Sequence, residues 1–309
     1  MLEPLIQPWA AFFGLVILLL AIDLRFGSRG SDLRAALLWS AIWVGAGLTF
    51  GLWIYASQGG EAATTYYAAY LLEKSLSVDN IFVFVLIFSQ LQIPANQQHR
   101  VLLLGIVGAL VMRAVMIWFG VYLLDRFHWA IYPFAGLLLV AAARLLFGGS
   151  AERRIVQESC AACSTWIARF IPVTSAGHGQ RFVLREHGKL VATPMLVALI
   201  LIETTDLIFA LDSIPAVLAI TRDPYVVYTS NIFALLGLRA LYFVLADVVQ
   251  RFQYLRPGLA VILCFVACKM LLTGIVDIPV ATSLSVIVGI VLVAVAASWA
   301  FPSRNTRNG

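Results

Sequence analysis

The sequence predicts an all-α integral membrane protein of about nine transmembrane helices, built around an inverted repeat of two three-helix units. Three observations carry this. The 309 residues are 61% apolar and 12% charged, against about 25% charged and 45–50% apolar in ordinary soluble domains. The apolar residues fall in blocks of about 20, the length that crosses a bilayer core about 30 Å thick. The basic residues collect between alternate blocks. A mean hydropathy of +0.93 excludes a disordered chain and a nucleic-acid-binding module, and four Cys in a chain this long argue against a disulfide framework.

The blocks are 8–25, 35–57, 66–90, 101–124, 129–147, 193–220, 225–248, 257–273 and 279–301. The first is read as a span, because Met1 to Trp9 carry no Lys or Arg and a signal peptide needs a basic n-region. Gly59-Gly60 separates the second block from the third, and Gly148-Gly149 closes the fifth. Thr193-Pro194 starts the sixth as an N-cap with proline in the first turn, and Asp277-Ile278-Pro279 starts the last in the same way. The segment 148–192 is the one long loop. Its first part, Glu152 to Ile171, places Ile155, Val156, Cys160, Cys163, Trp166, Ile167 and Phe170 at helical spacing, an amphipathic helix suited to a membrane surface. The remainder, with Ser175, Gly177, Gly179 and Gly188, reads as a flexible linker. The whole of 1–309 is one transmembrane domain.

Lys and Arg set the orientation. Placing the 23–34 loop inside puts 14 of these residues, from Arg25, Arg29 and Arg34 to Arg304 and Arg307, on the cytoplasmic side, and only Arg126 and Arg222 outside. The expected topology is N-terminus out and C-terminus in, in the cell inner membrane. The basic pI near 9.2 is then a consequence of topology, and no nucleic-acid partner is expected.

Residues 66–147 and 193–273 look like two copies of one unit. Glu73, Asp79, Asn80 and Ile81 match Asp206, Asp212, Ser213 and Ile214 in spacing, and Met112-Arg113-Ala114 matches Leu238-Arg239-Ala240. Three spans per unit make the second copy enter from the opposite face, as in many secondary transporters, whose substrate site lies between the repeats.

The spans enclose Glu73, Asp79, Glu203, Asp206 and Asp212, with Lys74, Arg113 and Arg239. Each charge at the bilayer centre costs roughly 2.5–3.5 kcal/mol on insertion scales, so these groups face the bundle interior and mark a functional site. Five acids against three bases leave −2, the charge a divalent cation neutralises. Glu203 and Asp206 share a helix face. Asp206 and Asp212 are about 120° apart and converge on one ion only if the helix unwinds between them, for which Pro215 supplies a cause. Carboxylates with Asn80, Ser77 and Ser213 oxygens, and without His or Cys, suit Mg, Ca or Mn.

The runs Glu73 to Asn80 and Pro194 to Ala216, with Thr229 to Ala234, Gly237 to Tyr242 and Phe170 to Thr174, are similar to the signature of the TerC family over roughly residues 5–300. The resemblance implies a manganese exporter. Glu73, Asp79, Glu203, Asp206 and Asp212 are then the metal ligands, supported by Lys74, Asn80, Arg113, Ser213 and Arg239. Mn²⁺ or a similar divalent ion is substrate rather than cofactor, and proton entry is the expected coupling. The alternative is a non-transporting membrane stress-response factor, following the tellurium-resistance and redox-modulator labels that the family carries.

Other features have plainer readings. Cys160 and Cys163 pack on the apolar side of their helix, and Cys264 and Cys268 are packing residues. Trp9, Trp39, Tyr66, Tyr67, Trp129, Tyr225 and Tyr228 read as interfacial anchors. Arg144, Asp247 and Lys269 sit near span ends and snorkel. No nucleophile–base pair, phosphate loop or haem ligand pair stands out, so no enzyme is expected. The partners are a divalent metal ion and the lipid bilayer; a homo-oligomer is compatible with the sequence.

Overall fold

The computed structural model describes residues 3–26, 33–147, 149–169, 171–173, 181–186, 189–245, 254–273, 275–276 and 278–300. It is an all-α membrane protein. The helices are α1 (Glu3–Phe26), α2 (Leu33–Gln58), α3 (Gly60–Gln90), α4 (Ala95–Arg126), α5 (Ile131–Phe147), α6 (Gly149–Ala168), α7 (Pro194–Leu218), α8 (Pro224–Leu236), α9 (Leu238–Leu245), α10 (Leu255–Leu272) and α11 (Val280–Ala300). Each predicted block falls on one of these helices or, for 225–248, on the pair α8–α9 and residues beyond the described ones. Among the described residues, seven helical stretches are long and apolar enough to cross a membrane. The exposed faces carry large apolar side chains such as Trp118, Phe147, Val293 and Trp299, the surface a lipid environment accepts.

Local sequence explains the ends. Gly59, which precedes α3, has φ +93°, a left-handed conformation that glycine adopts without Cβ strain. Asp223 caps α8, accepting from the Tyr225 backbone N–H at 2.8 Å, and Pro224 takes the first-turn position. Pro194 does the same for α7. Thr193 donates its hydroxyl to the Arg181 and Phe182 carbonyls at 2.9 and 3.0 Å, so it ties the preceding chain to the helix instead of capping it.

The main helix pairings are α5 with α10, α4 with α7, and α3 with α8, α2, α11 and α7. Small residues allow the close approaches. A Cβ on Gly258 of α10 would lie 2.8 Å from that of Ala294 on α11. On α2, Gly47 lies under Tyr70, and its carbonyl accepts from the Tyr66 hydroxyl at 3.0 Å. An aromatic cluster of Phe12, Phe50, Tyr66, Tyr225, Tyr228 and Phe233 fills the junction of α1, α2, α3 and α8, with Phe50 and Phe233 4.7 Å apart.

Several expectations change. Tyr66, Tyr225 and Tyr228 are buried in this core and are not free interfacial anchors, whereas Trp129 is exposed. Lys269 does not snorkel: it donates to the Ser283 hydroxyl at 2.9 Å and bridges α10 to α11. The loop 172–192 is not all linker, since an antiparallel hairpin pairs β1 (Val183–Glu186) with β2 (Lys189–Ala192). Asp247 lies outside the described residues. Most consequential, α7 runs unbroken past Pro215. The proline stands in the last turn, so it deprives only the Leu211 carbonyl of its helical donor, too late in the helix to unwind the segment between Asp206 and Asp212.

Candidate metal-ion site

Because α7 stays helical, Asp206 and Asp212 point in different directions, and the acids divide. Arg113 of α4 organises the centre. It is 1% exposed and joins three other helices. From Nη1 it donates to Glu73 Oε1 of α3, to Asn231 Oδ1 of α8 at 2.8 Å and to Ser213 Oγ of α7 at 3.4 Å. From Nη2 and Nε it donates to both oxygens of Asp206, at 3.3 and 3.4 Å. Asn80 Nδ2 reaches Asp206 Oδ1 at 3.5 Å. A buried arginine fork needs acceptors around its whole rim, and here two carboxylates, an amide and a hydroxyl supply them.

Beside this network lies a cavity of about 510 Å³. Glu73, Asp79 and Asn80 line it from α3, Arg113 from α4, Ala141, Arg144 and Leu145 from α5, Ile208, Phe209, Asp212 and Ser213 from α7, and Arg256 and Leu263 from α10. Three of the five predicted acids thus share one space. Glu73 Oε2 is buried and has no hydrogen-bond partner among the described residues, an arrangement costly for a carboxylate. Asp79 is held at the wall by Arg256, whose Nε lies 2.8 Å from Oδ1 and whose guanidinium stacks 3.9 Å from the Phe82 ring centroid.

The remaining predicted residues lie apart. Asp206 sits behind Arg113 and borders a second, much smaller space, of about 10 Å³, that Arg239 also lines. Glu203 does not line the large cavity. Its carboxylate rests on Gly108 of α4, where any Cβ would collide with it. Lys74 turns away from the acids and donates to the Ala234 carbonyl at 3.0 Å, in the last turn of α8, where helix carbonyls run out of internal donors. Arg239 lies 2.6 Å from His99 Nε2. Among the described residues, no three His, Cys, Asp or Glu side chains are close enough to hold a metal ion. Glu73, Asp79 and Asp212 surround a cavity wide enough for an ion and its water; they do not form a closed coordination sphere.

Sequence reading missed three contributors. Asn231 is a buried amide inside a membrane span, next to Thr229 and Ser230, and a polar group there was a signal. Arg144, expected to snorkel at a span end, and Arg256, one of the 14 basic residues expected on the cytoplasmic side, both line the cavity.

The match to the integral membrane protein TerC family covers residues 58–306. An "Uncharacterized membrane protein STKORF319" of Myxococcus xanthus is 46% identical over 94% of this chain and 91% of its own. The "Putative membrane-bound redox modulator Alx" of Escherichia coli K12 is 40% identical over 92% of this chain and 91% of its own, and its namesake in Photorhabdus laumondii is 40% identical over 97% of each. No solved structure matches. With a family match over most of its length and relatives of this identity aligned end to end, the chain belongs to the TerC family of integral membrane proteins.

Proposed function

We propose that the chain exports a divalent metal cation, Mn²⁺ foremost, across the cell inner membrane through the cavity between its two three-helix units. The observation that carries this is the meeting of Glu73, Asp79 and Asp212 on one cavity inside the helical bundle, with a Glu73 oxygen buried and unpartnered among the described residues. Carboxylate, amide and hydroxyl oxygens are the ligands of hard cations such as Mn²⁺, Ca²⁺ and Mg²⁺, and a transport site must bind weakly enough to let go. The principal pairings support the inverted repeat: exchanging the units turns the α3–α8 contact into α7–α4 and leaves α5–α10 in place. The cavity reaches the ends of α5 and α10 at Arg144 and Arg256, the side to which the distribution of Lys and Arg assigns the cytoplasm.

Export of a doubly charged ion against an inside-negative potential of 100 mV costs about 4.6 kcal/mol, at about 2.3 per charge. Carboxylates release metal when protonated, so proton entry is the coupling we infer. The test is Mn²⁺ flux in proteoliposomes under an imposed pH gradient at clamped voltage. Wild-type flux that follows the gradient, with loss in Asp212→Asn, is the expected result. No flux in the wild type would sink the proposal, and flux indifferent to pH would remove the proton.

The relatives named as redox modulators favour a second reading, through thiols. Cys160 and Cys163 are both free. Burial pushes the Cys160 thiol up to about 11 and raises Cys163 as well. Thiolate, the reactive form, is therefore scarce at neutral pH, which weighs against this pair as a redox centre.

A further inference from the structure

Arg113 and Arg239 are matched positions in the two units, yet their surroundings differ. Arg113 lies between Glu73 and Asp206, while Arg239 reaches His99 across the α9–α4 contact. The acceptors around Arg113 are of two kinds. Glu73 lines the cavity and is a carboxylate a metal ion would claim, whereas Asp206 lies behind the guanidinium. Asn231 Oδ1 and Ser213 Oγ are neutral, and the same Nη1 that serves Glu73 already donates to both.

A guanidinium on the Glu73 carboxylate neutralises the same oxygens a divalent ion needs. Leaving buried carboxylates unpaired is strongly unfavourable. A carrier that has released its ion must nevertheless return across the membrane with those carboxylates. A tethered cation solves this if it can step aside when metal arrives.

Resting on the carrier reading above, we propose that Arg113 is the built-in counter-cation of the site: it neutralises Glu73 while the carrier returns without metal, and it retreats onto Asp206, Asn231 and Ser213 when metal takes the Glu73 carboxylate. Arg113 then competes with the ion for its ligands and makes the return step possible. Its removal strengthens metal binding and slows net transport, a combination that a purely structural role does not produce.

The test uses the full chain in proteoliposomes, with Mn²⁺ as the probe. Three quantities are measured on wild type and Arg113→Gln: Mn²⁺ affinity of the purified protein by calorimetry, Mn²⁺/Mn²⁺ exchange, and net Mn²⁺ flux. Exchange does not need the return without metal; net flux does. The variant is expected to bind Mn²⁺ about tenfold more tightly, since a charge next to the ligands has gone. Exchange persists while net flux falls at least about tenfold, because only one step of the cycle is blocked. Arg113→Lys keeps the charge but lacks the fork that bridges two carboxylates, so it should shift all three quantities in the same direction by less. It decides the matter if the Gln variant does not fold. Unchanged or weaker binding in a folded variant, or exchange and net flux falling together, overturns the proposal. Wild type that neither binds nor exchanges Mn²⁺ overturns the carrier reading instead.

Discussion

Glu73→Gln separates the contribution of charge from that of shape at the centre of the site. The amide keeps one oxygen able to accept from Arg113 Nη1, so a hydrogen bond survives where Glu73 Oε1 stood. What disappears is one charge beside a fully buried guanidinium. Removing one partner of a buried pair costs about 3–5 kcal/mol when the other is left uncompensated. Here Arg113 keeps Asp206, Asn231 and Ser213, so the loss should be smaller, about 1–3 kcal/mol, the range for a hydrogen bond to a charged group. The effect on transport should be larger than the effect on stability. In place of the unpartnered Oε2 the cavity receives an NH₂ group, a donor that repels a cation, and at least a tenfold loss of export, about 1.4 kcal/mol, is expected. Glu203→Gln is the control: the chemical change is identical, but its carboxylate packs on Gly108 outside the cavity. Its export should stay within about threefold of wild type, under ~1 kcal/mol. Thermal melting in detergent reads the first quantity, and Mn²⁺ efflux from proteoliposomes the second. Equal loss in both variants, or full export in Glu73→Gln, would refute the assignment of Glu73 to the cavity and of Glu203 outside it.

Gly237→Ala places a Cβ 2.8 Å from Trp43 Cβ and 3.0 Å from Lys74 Nζ; overpacking of this kind costs about 1–3 kcal/mol, to be seen as a lower melting temperature. Lys74→Met leaves the Ala234 carbonyl without its donor and should cost about 1–3 kcal/mol, again by melting, with the Mn²⁺ affinity of the remaining folded protein unchanged. Arg256→Gln removes a positive charge from the cavity wall. Its side chain is 25% exposed, so the stability change should stay near the ~0–1 kcal/mol of partly hydrated pairs, while apparent Mn²⁺ affinity rises at low ionic strength and the difference fades in high salt. For Cys160 the folded thiol titrates near 11, so iodoacetamide labelling should climb about tenfold per pH unit from neutrality toward that value; fast labelling at pH 7 would show a thiolate the packing does not favour.

Hydropathy made the helices legible, because a bilayer leaves an apolar helix few alternatives. The cost of a membrane-embedded charge marked Glu73, Asp79, Glu203, Asp206, Asp212, Lys74, Arg113 and Arg239 without any geometry, but it did not separate those at the cavity from Glu203, Lys74 and Arg239, which lie away from it. Where the side chains point was harder to read. Whether Asp206 and Asp212 meet depended on whether Pro215 unwinds α7, and a proline in a last turn removes too little to do so. Counting basic residues by side of the membrane places Arg256 in the cytoplasm and is blind to its side chain folding back on Asp79. Tyr66 near a block end looked like an anchor, and only the Gly47 carbonyl opposite it revealed a buried partner. The hairpin 183–192 escaped because strands of four residues are too short for alternation to register.

The cavity wall has a consequence for how such a protein comes into being. Its lining is drawn from α3, α4 and α5 on one side of the long loop and from α7 and α10 on the other. Neither half of the chain contains the chamber. Severed within α6 and expressed as two polypeptides, the halves should each be inert alone and regain the chamber only when made together.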